Sequence, residues 1–286
     1  MTKPLLQLQD SVAVLRPEGF RHMAYVEWRG DHDAPPAFCV HGLTRNGRDF
    51  DALAQALAAS RRVFCPDVLG RGRSDCLTDP AGYANLAYAA DMVTLIARGG
   101  GGAIDWVGTS MGGLIGMILA AMPGSPIRRL VLNDVGPFVP QAAMARIRDY
   151  VGYDPVFDTL AELEAYLRKV HAPFGPLSDG QWRTMAEHGH WRIEGGRYKL
   201  ARDPAIAVPI KAAPLADVSL WPLWDAITCP VLVIRGAESD LLTAETVAEM
   251  AGRGPGCTVV EVAGVGHAPA LLTADQIAPI VDFLVK

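Results

Sequence analysis

Short apolar runs alternate with longer segments of helical periodicity along most of the chain. The runs predict eight strands, "SVAVLRP", "HMAYVEW", "PAFCVHG", "RRVFCPDV", "AIDWVGTS", "RLVLNDVG", "PVLVIRG" and "TVVEVAG". Five segments have helical spacing, "DFDALAQALAAS", "YANLAYAADMVTLIAR", "MGGLIGMILAAM", "AETVAEMAG" and "ADQIAPIVDFLV". Alternation of this kind is typical of βαβ units. The pattern therefore predicts an α/β fold with a mostly parallel eight-stranded sheet flanked by helices, in which the first two strands form a pair.

The interval from Pro137 to Leu220 breaks this alternation. It holds several helical segments punctuated by Pro and Gly, and no convincing buried strand. We therefore expect an inserted, mainly helical cap at residues 137–220 and an α/β core at residues 1–136 and 221–286. Four tryptophans lie in the cap or at its exit and favour an apolar pocket roof. The candidate pocket residues are His41, Trp182, Trp191 and Trp221.

Composition narrows the class of partner. Half of the 286 residues are apolar, and the net charge is −5 with the two signs well mixed. A chain of this length can bury a substantial core, and the absence of a basic stripe argues against nucleic acid and anionic membrane surfaces as partners. We therefore expect a small-molecule ligand of neutral or modestly polar character.

The cysteines and the first residues of the chain predict a protein that resides in a reducing compartment. The five cysteines show no CxxC or Cys/His ligand spacing, so we expect neither a metal site nor a cofactor. The segment "MTKPLLQLQDSVAV" lacks a continuous apolar stretch before a cleavage site, and nowhere do about 18 apolar residues follow one another. A cytoplasmic location is the expectation.

The glycine run at residues 99–102 lacks the Lys-Ser/Thr ending of a phosphate loop and is interpreted as a turn.

The stretch "IDWVGTSMGG" contains a candidate nucleophile. Gly108, Ser110 and Gly112 complete the pattern G-x-S-x-G at a predicted junction between a strand and a helix. A serine at such a junction sits on a sharp turn that holds its hydroxyl above the sheet, so the residues two positions away must be small. A dinucleotide-binding turn is the alternative, with Asp134 as a ribose acceptor, but that turn requires glycine where Ser110 stands.

A nucleophilic serine needs a base and a carboxylate that orients it. His267, in "VAGVGHAP", follows the last predicted strand and lies at the same sheet edge as Ser110, whereas His188 and His190 form an H-x-H pair without a third metal ligand. For the carboxylate we favour Asp240, which follows the penultimate strand. Asp134 and Glu238 remain alternatives at the same edge.

The order Ser110, Asp240, His267 resembles that of the α/β-hydrolase fold family. "HGLTRNGRDFDALAQAL" looks like the family's oxyanion loop, and "PDVLGRGRSD" looks like its D-x-x-G-x-G-x-S segment. The resemblance implies that the backbone N–H groups of Leu43 and Met111 form the oxyanion hole. It also implies that His41 shapes the oxyanion loop and that Asp67 fixes the following loop.

The resemblance implies a serine hydrolase that cleaves carboxylic esters, lactones included, of small and largely apolar substrates. Carbon–carbon bond hydrolases of ring-fission products share a Ser-x-Gly-Gly elbow, but they usually carry asparagine before the serine and tryptophan after the histidine. This chain has Thr109 and the pair Ala268-Pro269 there. An acyltransferase and a non-catalytic ligand receptor of the same fold are further alternatives.

Overall fold

The computed structural model describes residues 6–29 and 34–285, and a single large sheet dominates it. The strands are β1 Leu6–Arg16, β2 Gly19–Arg29, β3 Ala34–Val40, β4 Arg61–Pro66, β5 Ile104–Thr109, β6 Ile127–Asn133, β7 Phe138–Val139, β8 Val156–Phe157, β9 His190–Arg192, β10 Tyr198–Leu200, β11 Val218–Ser219, β12 Val231–Gly236 and β13 Thr258–Val262. The large sheet has eight strands in the order β1-β2-β4-β3-β5-β6-β12-β13. These are the eight strands that the sequence predicted.

The strands from β4 to β13 in this sheet order run parallel, and β2 pairs antiparallel with both β1 and β4. The helices are α1 Asp51–Leu57, α2 Asn85–Arg98, α3 Met111–Ala120, α4 Gln141–Tyr150, α5 Leu160–Val170, α6 Asp179–His188, α7 Ala207–Ala212, α8 Trp221–Ala226, α9 Ala244–Ala251 and α10 Ala274–Val285. Short 3-10 helices occupy Gly47–Phe50, Pro80–Gly82, Ala172–Phe174, Glu194–Gly196 and Pro204–Ile206. The mostly parallel sheet with flanking helices confirms the predicted fold class.

Both faces of the sheet are buried, which explains why its central strands are continuous apolar runs. Along β3, Phe38 and Val40 belong to the hydrophobic cluster that includes α2 and α3. Ala37 and Cys39 alternate with them and belong to the opposite cluster, which includes α1 and α10. Parallel strands that are covered in this way have their carboxyl ends at one edge, where loops of several strands meet.

Residues 137–220 form an insertion between β6 and α8. Strands β7 and β11, at the two ends of this segment, pair with each other, and β8, β10 and β9 form a second small sheet. The sequence did not predict these strands, because runs of two or three residues are too short to show a period of two. The segment has its own apolar cluster, which includes Leu163, Trp182 and Leu200. Its division from the core as a separate cap domain stays a prediction.

The inserted segment is joined to the core by backbone hydrogen bonds. The N–H of Gly72 donates to the carbonyl of Ala201 at 2.8 Å, and the N–H of Asp203 donates to the carbonyl of Gly70 at 2.8 Å. These bonds tie the loop after β4 to the segment. Within residues 6–29 and 34–285, no helix has both the length and the apolar character needed to cross a bilayer.

Replacing Gly112 with alanine is expected to destabilise the fold. A Cβ atom there would lie 1.9 Å from the carbonyl oxygen of Val40, so α3 would have to move away from β3. We expect the free energy of unfolding in urea to fall by about 2 kcal/mol or more, as for other overpacked cores. Gly102→Ala is the matched control, because a Cβ atom at residue 102 meets no atom within 4 Å. Equal stability of the two variants would contradict the close approach of α3 and β3.

Candidate active site

Ser110 lies at the sharp turn between β5 and α3. Its backbone has φ 51° and ψ −115°, a conformation that is rare for a residue with a side chain. The turn leaves no room beside it, since a Cβ atom at Gly108 would lie 2.3 Å from the carbonyl carbon of Gly112. Strained backbone that the surrounding structure enforces is frequent at functional sites. The geometry agrees with the small residues that the sequence requires at positions 108 and 112.

The structure brings His267 to Ser110. His267 follows β13, and its Nε2 lies 2.9 Å from the Oγ of Ser110. Its Nδ1 lies 2.6 Å from a carboxylate oxygen of Asp134. Because a carboxylate only accepts, Nδ1 carries the proton and Nε2 is left as the acceptor for the serine hydroxyl. This is the arrangement in which an imidazole can take the proton of an attacking serine.

The carboxylate beside His267 belongs to Asp134, and the prediction of Asp240 as this partner is wrong. Asp134 comes directly after β6, has a fully buried side chain and has φ 55°. Besides His267, it accepts hydrogen bonds from the N–H of Gly236 at 2.8 Å and from the hydroxyl of Ser239 at 2.6 Å. Three donors therefore hold this carboxylate at the edge of the sheet.

In the described structure, Asp240 is engaged by Arg146 and makes no hydrogen bond to His267. Its side chain is 51% exposed, and both of its oxygens accept from Arg146, at 2.6 and 2.8 Å. Glu238, the other alternative, is also exposed. In this loop it is Ser239 that turns inward, and its hydroxyl supports Asp134. Asp134 lies immediately at a strand end, as Ser110 does, whereas the sequence does not show which acidic side chain turns inward.

Asn133 and Thr109 connect the site to the loop after His267. The amide of Asn133 donates to the hydroxyl of Thr109 at 3.0 Å and to the carbonyl of Pro269 at 2.8 Å. The backbone carbonyl of Asn133 accepts from the N–H of Ser110 at 3.0 Å. These bonds hold the ends of β5 and β6 against the loop that carries the histidine. Sequence reasoning did not identify Asn133, since a polar residue inside an apolar strand gives no indication of its partner.

Leu43 and Met111 provide the N–H groups that the sequence suggested for an oxyanion hole. Both residues line the same cavity as Ser110. Within residues 6–29 and 34–285, neither N–H donates to a protein acceptor, so both are available to a ligand. Met111 is the first residue of α3, where the helix dipole favours negative charge. The arrangement suits an oxygen that becomes negatively charged beside Ser110.

His41 shapes the oxyanion loop from within the protein. Its Nε2 accepts from the N–H of Val68 at 2.9 Å, so its Nδ1 carries the proton and donates to the carbonyl of Gly42 at 2.7 Å. Burial lowers the pKa of His41 to about 3, with the hydrogen bond to Gly42 opposing this shift and the positive charges of Arg71 and Arg45 contributing to it. His41 is therefore neutral and has both ring nitrogens engaged, although it does border the cavity.

Asp67 fixes the loop after β4. Its carboxylate accepts from the N–H groups of Gly47 at 2.8 Å and Arg73 at 2.9 Å. A Cβ atom at Gly72 would lie 2.3 Å from the Asp67 carboxylate, so the loop can pass this close only with glycine there. Burial raises the pKa of Asp67, which these two hydrogen bonds partly counteract. Asp67 lies outside the residues that border the cavity.

A cavity of about 800 Å³ opens above Ser110, within the range of sites that hold small molecules. The inserted segment contributes a largely apolar wall that includes Met144, Ile147, Tyr150, His171, Phe174 and Ile210. Burial lowers the pKa of His171 well below its usual value, and the charges of Arg45 and Arg202 add to this effect. The segment therefore presents a neutral imidazole to the cavity. Within the described residues, no cluster of three or more metal-ligating side chains occurs.

The three tryptophans expected in the pocket lie elsewhere, and that prediction is wrong. Trp182 is buried in the apolar cluster of the inserted segment. The indole of Trp191 donates to the carbonyl of Gly72 at 2.6 Å, which helps to join the segment to the core. The guanidinium of Arg253 lies 4.6 Å from the ring centre of Trp221. Each of these tryptophans therefore makes its contacts outside the cavity. The sequence does not reveal the residues that they contact.

Comparisons with known proteins identify the family of this chain. The sequence pattern of the alpha/beta hydrolase family matches residues 37–280. The chain is 48% identical to a 3-hydroxybutyrate-oligomer hydrolase of Cupriavidus necator, over 93% of this chain and 94% of that protein. It is 30% identical to a 2-(acetamidomethylene)succinate hydrolase of Mesorhizobium japonicum, over 82% of this chain and 81% of that protein. The crystal structure of an alpha/beta hydrolase from Novosphingobium aromaticivorans superposes with a TM-score of 0.86, at 38% identity, over 97% of this chain and 98% of that chain.

Asp134→Asn is expected to remove most of the reactivity of Ser110. An asparagine amide would favour the wrong tautomer of His267, so the imidazole could no longer accept the serine proton. The rate at which a fluorophosphonate labels Ser110 should fall by roughly 10²- to 10⁴-fold. Asp240→Asn removes the carboxylate predicted from the sequence and should leave the rate within about threefold, since exposed ion pairs contribute little. A larger loss in Asp240→Asn than in Asp134→Asn would contradict the geometry.

His41→Gln is expected to change how stability depends on pH. The folded pKa of His41 is about 3 and the unfolded value is about 6.5, so between them only the unfolded state binds the proton. Stability therefore falls as the pH falls through this window, by up to about 1.4 kcal/mol per pH unit for one proton. Glutamine can accept from Val68 and donate to Gly42, but it does not titrate.

Urea unfolding of the wild type and of His41→Gln between pH 6 and pH 4 measures this difference. The wild-type free energy of unfolding should decline more steeply on acidification. Asp67 and His171 have shifted pKa values in both proteins, so their effects cancel in the comparison. Identical slopes would show that His41 is not held neutral by burial.

Proposed function

The chain belongs to the alpha/beta hydrolase family and is an ester hydrolase, and we propose that it cleaves short linear oligomers of 3-hydroxybutyrate or of closely related hydroxy acids. One observation carries this proposal. It is the hydrogen-bonded series Ser110–His267–Asp134 beneath a cavity of about 800 Å³ with a largely apolar wall. The 48% identity to a 3-hydroxybutyrate-oligomer hydrolase over nearly the whole of both chains supports this choice of substrate.

The reaction would proceed through an acyl-enzyme. The Ser110 hydroxyl attacks the ester carbonyl carbon, its proton moves to Nε2 of His267, and the carbonyl electron pair becomes an oxyanion. The N–H groups of Leu43 and Met111 stabilise that charge, a contribution of about 3 kcal/mol for each such donor. Collapse of the intermediate breaks the ester bond, and the departing alkoxide takes the proton from His267. Water, deprotonated by His267, then attacks the acyl-enzyme. Collapse of the second tetrahedral intermediate releases the carboxylic acid, and His267 returns the proton to the Oγ of Ser110.

The cavity favours oligomers over the polymer. A volume of about 800 Å³ falls within the range of pockets that enclose a small ligand, roughly 300 to 1,000 Å³, and a long chain would exceed it. Apolar side chains such as Met144, Ile147 and Ile210 suit the methyl groups of a hydroxybutyrate unit. We propose that the inserted segment 137–220 acts as the cap that encloses the substrate above Ser110.

Ester cleavage is preferred to the other chemistries of the fold. Carbon–carbon bond hydrolases usually have asparagine before the nucleophile and tryptophan after the histidine, where this chain has Thr109 and Ala268. Here the Thr109 hydroxyl accepts a hydrogen bond from Asn133, a support for the strand ends that does not involve the reacting atoms. Lactones and acyl transfer to an alcohol use the same acyl-enzyme, so experiments must separate them from hydrolysis of linear esters.

Purified protein should release monomer from the dimer and trimer of 3-hydroxybutyrate, measured by liquid chromatography. Ser110→Ala should reduce the rate by at least about 10⁴-fold. Ser11→Ala, at an exposed position of β1, is the matched control and should retain full activity. The same assay is run with the polymer, a lactone and a vinylogous diketone as alternative substrates. It is also run with methanol added as a competing acyl acceptor. Absence of oligomer cleavage, with turnover of the diketone or preferential acyl transfer to methanol, would overturn the proposal.

A further inference from the structure

Arg71 is a buried cation in the loop after β4, and its hydrogen-bond acceptors are all uncharged. Its side chain is inaccessible to solvent. One terminal nitrogen donates to the carbonyl of Leu69 at 2.8 Å and to the hydroxyl of Tyr88 at 2.6 Å. The Nε donates to the carbonyl of Leu43 at 2.9 Å, and the second terminal nitrogen contacts the sulfur of Met111 at 3.6 Å. A thioether is a weak acceptor, so this last nitrogen is poorly satisfied.

Among the described residues, Arg71 shares this environment with Arg202, which is also buried and donates to the carbonyl of Tyr153 at 3.0 Å, whereas other buried arginines have a carboxylate partner. Arg16 pairs with Asp91 at 2.5 Å, and Arg61 pairs with Asp105. Burial of a cation is unfavourable unless an opposite charge or strong hydrogen bonds compensate it. For Arg71, the described structure supplies neutral acceptors and the rings of Tyr83 and Tyr88, whose centres lie 5.7 and 5.1 Å from the guanidinium carbon. Such rings attract a cation but do not neutralise it.

The position of this charge relates it to the proposed reaction. Two of its four contacts are with Leu43 and Met111, the residues whose N–H groups would hold the oxyanion. The hydrogen bond to the Leu43 carbonyl fixes the peptide group that follows the Leu43 N–H. The contact with the Met111 side chain fixes the residue that carries the second N–H group. Arg71 also borders the cavity above Ser110, so a negative charge that develops between these donors would share a poorly solvated site with this cation, where electrostatic interactions are strong.

We propose that Arg71 is a positioning residue of the oxyanion hole, and that its buried positive charge stabilises the tetrahedral oxyanion. Arg71 exchanges no proton and makes no covalent bond, and its charge is the same before and after each step. Its effect is on the transition state, since the ground-state ester carries no charge at the carbonyl. This inference depends on the acyl-enzyme mechanism proposed above.

The loop also connects Arg71 to the inserted segment. The backbone of Arg71 lies opposite that of Arg202 in an antiparallel bridge, and Gly70 and Gly72 exchange hydrogen bonds with residues 201 and 203. The segment that encloses the cavity therefore holds the loop from one side, while the guanidinium reaches the oxyanion loop on the other. A rigid loop of this kind keeps the charge in place during the reaction, as preorganised electrostatic stabilisation requires.

Arg71→Met tests the proposal, because methionine fills part of the space without the charge. Activity is measured with a 3-hydroxybutyrate oligomer and with p-nitrophenyl butyrate, and rates are divided by the fraction of Ser110 that a fluorophosphonate titrates. We expect kcat per titrated site to fall by roughly 10- to 100-fold, with KM within about threefold. Arg71→Lys keeps the charge and should recover part of the loss. Arg73→Met, two residues along the same loop with a side chain 44% exposed, should match the wild type.

A boronic acid that forms a tetrahedral anion on Ser110 separates this role from a purely structural one. Its affinity should weaken in Arg71→Met by about the same factor as kcat/KM, whereas the affinity of an uncharged alcohol such as butanol, measured as a competitive inhibitor, should not change. Arg71→Gln provides a second neutral variant if methionine impairs folding. An unchanged kcat per titrated site, or equal losses of boronate and alcohol affinity, would overturn the role of Arg71 alone. A wild-type protein that hydrolyses neither ester would overturn the proposed function itself.

Discussion

The geometry of the site depends on the carboxylate of Asp134. A buried carboxylate is unfavourable unless its oxygens are hydrogen-bonded, and here Gly236, Ser239 and His267 all donate to it. The three donors come from the end of β12, the loop that follows it and the loop after β13. Satisfying one buried charge therefore joins the ends of three strands and leaves His267 with a single tautomer, directed at Ser110.

The sequence was sufficient to predict the sheet and the proximity of Ser110 and His267. Alternation of apolar runs and helical segments identified all eight strands of the large sheet. The glycines at 108 and 112 marked Ser110, because only minimal side chains fit its turn. The position of His267 after the last strand then put the two residues at the same sheet edge. Each of these features is determined by local sequence or by strand order.

The choice among the acidic residues and the position of the tryptophans could not be predicted in this way. Asp134 and Asp240 both follow parallel strands, and they differ in whether the loop turns the side chain inward. That direction depends on Ser239 and Arg146, which are distant in sequence from the residues they contact. Trp191 of the inserted segment and Trp221 at its exit contact Gly72 and Arg253, respectively. Tertiary contacts of this kind have no periodic signal.

The proposed account depends on a charge distribution that is fixed before the substrate binds. Beside the N–H groups of Leu43 and Met111, burial keeps His41 neutral while Arg71 carries a charge with only uncharged acceptors. Asp134 supplies the negative charge that would stabilise a protonated His267. In the proposed mechanism these fixed opposite charges match the separation of charge in the tetrahedral intermediate and lower the reorganisation that the reaction requires.

Proton NMR of ¹⁵N-histidine-labelled protein tests the central claim, that Asp134 orients His267, most directly. The Nδ1 proton shared with a buried carboxylate should give a low-field resonance coupled to the ring nitrogen of His267. The account predicts this resonance in the wild type and in Asp240→Asn, and its loss in Asp134→Asn with the fold preserved. Its persistence in Asp134→Asn together with its loss in Asp240→Asn would contradict the account.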